Sequence, residues 1–240
     1  MQLLILGLNH KTAPVEVRER FSITKQAVRS GLANLNEYEG LSEAVVLSTC
    51  NRSEIYAVVD DEGKDLPVLK QFLFDLTGNE EDIDEYLYHF ASEECIRHLF
   101  QVASSLDSLV LGEGQILSQV KDAYALGREE GTTSTVLNTL FHRAIATGKR
   151  VRTETRIQYN SVSVSYAAVE LAREELGDLC QSNALIFGAG KMAELTAQHL
   201  MSRGVRKIYV ANRHQEKAVQ LAEEFCGEAV PFDEAMKRAV

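Results

Sequence analysis

Apolar positions in the first sixty residues cluster in three runs rather than in a helical rhythm. Residues 2–8, 43–49 and 54–60 are rich in Leu, Ile and Val and read as buried strands. The first two runs are separated by a polar turn, Asn9 to Pro14, which Pro14 closes to any helix passing through. Val15 to Phe21 is charged and helix-compatible. Thr24 is placed to cap a helix running to about Asn36, with Gly40 ending the connection. After the third run, Asp60 to Asp65 reads as a solvated turn. Leu66 to Leu76 then reads as a helix stopped by Thr77-Gly78-Asn79. This β-α-β-β-α order predicts an α+β sandwich of ferredoxin-like type.

From Ser92 the rhythm becomes helical. Ser92 is the expected N-cap, with Glu93 and Glu94 in the first turn. Ile96, Leu99, Phe100, Val102 and Ala103 form one apolar face. A glycine-bearing, polar-tipped stretch, Leu106 to Gln115, separates this helix from one carrying Ile116, Val120, Ala123 and Leu126 up to Gly131. Further helices are predicted over about Thr133–Thr155 and Ser161–Leu176. The first of these bears Arg143, Lys149, Arg150 and Arg152, with Arg156 just beyond. A solvated face and a polyanion contact both fit that cluster.

The last eighty residues repeat strand, helix, strand. Ala184 to Phe187 leads into Gly188-Ala189-Gly190-Lys191-Met192-Ala193, a helix follows to Leu200, and Lys207 to Ala211 is the next strand. A G-x-G-x-x-A turn between such elements is a dinucleotide-binding fingerprint. Gly188 allows the tight turn, Gly190 lets the backbone approach a pyrophosphate, and Ala193 permits close helix–strand packing. The second strand ends in Asn212-Arg213-His214, without the acid that receives a ribose 2′-hydroxyl. Arg213 can pair with a 2′-phosphate, so NADPH is expected over NADH. A second helix over Glu216–Phe225, a short strand over Ala229–Phe232 and a helix start at Asp233 complete the pattern. Three strands are too few to cover the nicotinamide side of a doubly wound sheet, so this α/β Rossmann-type domain is expected to be incomplete at its C-terminal end.

Composition narrows the setting. The chain has 240 residues, 45% of them hydrophobic, and a net charge of −10, which is ordinary for a globular protein and argues against nucleic-acid binding driven by overall charge. Its N-terminus lacks a basic n-region and reads as a strand rather than a signal peptide. No apolar run is long enough to cross a bilayer. Four scattered cysteines, without zinc spacing, point to a reduced cytoplasmic setting and to no metal centre.

One of them, Cys50, sits in a polar insert, Leu47 to Glu54, between two strand-like runs. A nearby guanidinium, that of Arg52, would favour the nucleophilic thiolate. A buried structural cysteine beside a solvent-facing Arg52 is the alternative. Cys95 is less readily set apart from Cys50, while Cys180 in a linker and Cys226 at a helix end lack a comparable basic neighbour.

Several stretches together resemble glutamyl-tRNA reductases. They are Gly7 to Pro14 with Arg18-Glu19, Leu47 to Tyr56, His98-Leu99-Phe100, Leu106 to Glu113, Gln115 to Lys121, Gly148 to Thr155, and Gly188 to Met192. Ser118 and Ala193 depart from the usual glycines. The resemblance is colinear over nearly the whole chain. It implies a catalytic, glutamyl-tRNA-recognition domain over 1–156 and an NADP-binding domain over 157–240, with the family's dimerisation domain absent. It also implies the reaction: Cys50 displaces tRNA from glutamyl-tRNA to form a thioester, which NADPH reduces to glutamate-1-semialdehyde, the first step of five-carbon tetrapyrrole synthesis. Thr49, Asn51 and Arg52 would line the pocket, with Arg52 on the substrate's side-chain carboxylate. Ser108, Glu113, Gly114, Gln115 and Gln119 would contact the aminoacyl group, and His98 would orient the site or move a proton. Gly188 to Ala193 and Arg213 would hold NADPH. The implied partners are charged glutamyl-tRNA, glutamate-1-semialdehyde aminomutase and, in longer family members, a second copy. A binding or regulatory fragment with esterolytic but little reductase activity, and a Cys-dependent reductase of a small acyl substrate, are the competing readings.

Overall fold

The computed structural model describes residues 1–79, 81–155, 157 and 164–238. The chain divides into two compact units, Met1–Ser161 and Val162–Val240.

In the first unit, β1 (Gln2–Asn9) is followed by α1 (Val15–Arg20) and α2 (Lys25–Ala33), then β2 (Leu41–Ser48), β3 (Arg52–Val59), α3 (Glu62–Thr77) and β4 (Tyr88–Ala91). The four strands form an antiparallel sheet in the order β2-β3-β1-β4. That is the ferredoxin-like arrangement, closed by a strand the apolar pattern does not reveal. β4 has only four residues, none of them fully buried. Three more helices, α4 (Ser92–Ala103), α5 (Ile116–Glu129) and α6 (Thr135–Glu154), cover the other face. Leu4, Leu6, Val46, Ile55 and Ala57 pack with α2 and α3, whereas Ile5, Val45, Leu47, Tyr56 and Val58 pack with α4–α6. Alternate residues therefore feed two cores. This is why the strands read as continuous apolar runs although the sheet is antiparallel. Gly148 brings α6 close to α4, since a Cβ there would lie 2.4 Å from the Ala103 carbonyl oxygen.

Two local expectations fail for identifiable reasons. Asp60 to Asp65 is not a solvated turn: Asp61 caps α3 by accepting from the Gly63 and Lys64 amides, and Asp65 is buried, accepting from the Asp60 and Asp61 amides. The charge run is thus a helix start. Ser92 is not an N-cap but the first helical residue, with φ of +48°, and Ala91 precedes it.

The second unit has α7 (Val164–Leu176), β5 (Asn183–Phe187), α8 (Lys191–Ser202), β6 (Lys207–Ala211), α9 (Gln215–Glu224) and β7 (Glu228–Val230). Its strands are parallel in the order β5-β6-β7, a Rossmann-type arrangement. Val169 of α7 joins Ala197 and Leu200 of α8 in one core. The expected strand over 229–232 begins and ends earlier, and Phe232 opens a 3₁₀ turn instead. Arg156, the first three residues of the helix expected from Ser161, and residues 239–240 lie outside the described residues. Among the described residues, no helix is long and apolar enough to cross a membrane.

Candidate active site

The β2–β3 hairpin is tighter than the polar insert suggests. Ser48 pairs with Ser53, and Arg52 already belongs to β3 beside Asn9 of β1, so Thr49, Cys50 and Asn51 form its tip. The Thr49 amide donates to the Arg52 carbonyl at 2.8 Å. Thr49 Oγ1 accepts from the amides of Asn51 and Arg52 at 3.1 and 3.2 Å, a side-chain turn that a hydroxyl residue forms readily. Cys50 is thereby left exposed with a free thiol. The turn after β1 and helix α1 hold the tip from outside. The His10 amide donates to the Asn51 carbonyl at 3.0 Å, and Arg18 donates to the Cys50 carbonyl at 2.8 Å and to Asn51 Oδ1 at 3.0 Å.

Arg52, Ser53 and Glu54 belong to β3 and are buried, which corrects the expectation of a polar loop through Glu54. Residues 52, 54 and 56 share one face of the strand, and that face carries a buried charge network. Arg52 pairs with Glu54 at 2.6 Å and with Asp107 Oδ2 at 3.1 Å. Glu54 also accepts from the hydroxyls of Tyr56 and Tyr88 at 2.7 and 2.6 Å, and meets His98 Nε2 at 2.9 Å. Burial alone would raise the Glu54 carboxyl. The Arg52 guanidinium, helped by His98 and Tyr88, outweighs it and holds the group well below the usual carboxylate range. An ionised Glu54 can only accept, so His98 carries a proton on Nε2. Burial and then the Glu54 charge push the Tyr56 and Tyr88 phenols up. Arg52 is therefore not a solvent-facing cation beside Cys50: its charge is engaged inside the protein. Asp107 has a second cation in Lys11. Burial opposes ionisation of Asp107, but Lys11 and Arg52 together lower it.

The stretch between α4 and α5 closes over this network. Ser105 Oγ donates to the Glu113 carbonyl at 2.8 Å, and Arg152 reaches the same oxygen at 3.2 Å. Arg152 thus leaves the basic face expected of α6. Arg143, Lys149 and Arg150 remain exposed, Arg150 pairing with Glu154. Ser108 Oγ is buried without a hydrogen bond of good geometry. The half-buried Glu113 carboxyl is raised by burial, against the opposing pull of Ser108 and Arg52. Gly114 and Gln115 are exposed, and Gln119 is half-buried on α5.

The other cysteines differ. Cys95 is fully buried, and burial followed by the Glu54 charge pushes its thiol up to about 12. Cys180 is exposed, and its thiol is raised by a hydrogen bond to Asp178. Cys226 is exposed at φ of +52°. The residues that reading the chain does not single out for the site are Arg18, Lys11, Glu54, Tyr88 and Asp107. Arg18, Lys11, Tyr88 and Asp107 meet their partners from other elements, so no spacing signals them, and Glu54, two residues from Arg52 on one strand face, reads as part of the polar insert.

In the second unit Gly188 has φ of +106°, and its amide donates to the Ala211 carbonyl at 2.8 Å. Gly190 caps α8 without a side-chain hydrogen bond. A Cβ at either glycine would meet nothing within 4 Å. The first α8 amides therefore face open space at a positive helix terminus, where a pyrophosphate fits. Ala189 and Ala193 pack against the core, while Met192 is exposed. Lys191 pairs with Glu194 at 2.7 Å. Arg213 is exposed just beyond β6, where a 2′-phosphate would lie.

Residues 6–155 match the family described as glutamyl-tRNAGlu reductase, N-terminal domain, and residues 170–239 match shikimate / quinate 5-dehydrogenase. Among curated relatives, the glutamyl-tRNA reductase of Pelotomaculum thermopropionicum is 51% identical over 98% of this chain and 53% of its own length. That of Pelobacter propionicus is 49% identical over 98% of this chain and 54% of its own. Among solved structures, the glutamyl-tRNA reductase from Methanopyrus kandleri is similar with a TM-score of 0.62 and 41% identity, over 98% of this chain and 55% of that one. The chain spans about half the length of the relatives it matches.

Proposed function

The chain belongs to the glutamyl-tRNA reductase family, and from that premise we propose that it acts on glutamyl-tRNA through a thioester on Cys50, in the cytoplasm, using NADPH to form glutamate-1-semialdehyde. The observation that carries this reading is the exposed Cys50 thiol at the tip of a hairpin whose base is fixed by a buried charge network. Cys50 Sγ attacks the ester carbonyl carbon. The new C–S bond replaces the C–O bond to the terminal ribose, and the thiol proton leaves with the ribose oxygen. The ester is already activated, so no further leaving-group chemistry is required. The Gly188–Gly190 turn would hold NADPH, which would supply a hydride for reducing the acyl carbon, with the Cys50 sulfur as the leaving group.

This chain's own residues bind and orient. Arg52 is assigned the substrate's side-chain carboxylate through a charge-assisted pair. Asp107 can yield the outer edge of that guanidinium because it keeps Lys11 as a counter-ion. Thr49 and Asn51 shape the pocket at the tip. The Glu113 carboxyl is assigned the substrate ammonium, and Ser108, Gly114, Gln115 and Gln119 complete that wall. His98, tied through Nε2 to Glu54, orients the network and leaves Nδ1 for proton transfer. Arg143 and Lys149 offer a local cationic surface to the tRNA. Gly188 to Ala193 hold the pyrophosphate side of NADPH and Arg213 its 2′-phosphate.

The test is deacylation of glutamyl-tRNA by the chain without NADPH, with acid trapping of the acyl-protein. Cys50→Ser abolishes both signals if the reading is right. Deacylation by Cys50→Ser at the parent rate would exclude Cys50 as the nucleophile.

A further inference from the structure

The cation that touches the Cys50 loop is not the one adjacent in sequence. Arg52 faces inward, and both terminal nitrogens of its guanidinium are engaged by Glu54 and Asp107. Arg18 approaches from α1. Its Nε donates to the Ala13 carbonyl at 3.2 Å, and its Nη1 to the Cys50 carbonyl at 2.8 Å and Asn51 Oδ1 at 3.0 Å. All three acceptors are neutral oxygens. Among the described residues no carboxylate lies within ion-pair distance of Arg18, whereas Lys11 has Asp107. Covalent geometry places Sγ close to its own residue's carbonyl, so the Arg18 charge lies within about 8 Å of the thiol.

We propose that Arg18 is the positioning residue of the nucleophile, fixing the Thr49–Asn51 tip and supplying it with a guanidinium charge no carboxylate cancels. This rests on the reading of Cys50 as the nucleophile. Two effects follow from one side chain. The bonds to residues 50 and 51 hold the backbone from which Sγ projects, so the thiol is presented in one orientation. The uncancelled charge makes the surroundings of Sγ positive, which draws anionic reactants. A side chain that only pinned the loop would produce the first effect and not the second. The two are separable because Lys keeps the charge without the fork, whereas Gln, two bonds shorter, loses both the charge and the contact to Cys50.

The experiment compares alkylation of Cys50 by anionic iodoacetate and neutral iodoacetamide in the full chain. Cys180 and Cys226, which are also exposed, are replaced by Ser, and the labelled peptide is identified by mass spectrometry. Arg18→Gln is expected to lower the iodoacetate-to-iodoacetamide rate ratio by about three- to five-fold, with Arg18→Lys within about two-fold of the parent. Raising salt to about 1 M lowers the parent's ratio by screening, a measurement that needs no Arg18 variant. A ratio unchanged in Arg18→Gln, lowered as far by Arg18→Lys, or insensitive to salt overturns the proposal. No tRNA enters this assay. A chain that passes it but forms no acyl-protein with glutamyl-tRNA would refute the reading of the function and leave the role of Arg18 standing.

Discussion

Replacing Glu54 by Gln removes one charge from the centre of the first unit while keeping the volume and one carbonyl acceptor. The consequence falls on Arg52, which is 2% exposed and loses its closest counter-ion, leaving only Asp107 at 3.1 Å. Two lines of reasoning agree on the size. Removing one partner of a buried ion pair destabilises by roughly 3–5 kcal/mol, because the remaining charge stays buried and under-compensated. Independently, a carboxyl lowered from its ordinary 4.5 to about 2 is held in its charged form by about 3 kcal/mol. For a unit of this size that corresponds to a melting point lower by roughly 6–20 °C. The folded chain holds this group below its unfolded value. Its contribution is therefore complete above about pH 4.5 and is lost as pH falls toward 2. Urea unfolding followed by far-UV circular dichroism, repeated from pH 7 down to 3, measures both features. The gap between parent and variant is expected to be widest at pH 7 and to narrow below 4.5. A loss under about 1 kcal/mol at pH 7, or a gap that does not narrow in acid, would refute the view of Glu54 as an ionised hub.

Other consequences are simpler to check. Glu43 is buried and accepts from the amides of Ser134, Val136 and Leu137, so it caps α6 from a neighbouring strand. Glu43→Ala is expected to cost about 2 kcal/mol in urea unfolding. The Tyr56 and Tyr88 phenols are held above 10.0, which favours their neutral forms in the folded chain; that stabilisation is complete below pH 10 and lost as pH rises further. Melting points taken from pH 8 to 11 should fall more steeply above 10 in the parent than in a Tyr56→Phe, Tyr88→Phe variant. Arg213→Ala is expected to weaken NADPH by about ten-fold, the size of one charge-assisted contact, with NADH unchanged in fluorescence titration. Equal weakening of both nucleotides would remove Arg213 from the 2′-phosphate site.

What the sequence determined by itself is what depends on neighbours along the chain. The Gly188–Gly190 turn was legible because a positive φ at Gly188, an open cap at Gly190 and flanking strands are all local requirements. The three long strands were legible as apolar runs and most helices from their period. β4 was not, since three half-buried residues and an exposed His89 carry no pattern and pair only because β1 offers them an edge. The tertiary structure alone decided the electrostatics around Cys50. Sequence proximity pointed to Arg52, but strand alternation and the three-residue tip turn it inward, where Glu54 and Asp107 engage it. The guanidinium that reaches the Cys50 loop comes from Arg18 on α1, 32 residues earlier. Charges act through space with a strength set by distance and burial, and neither quantity can be read from the order of residues.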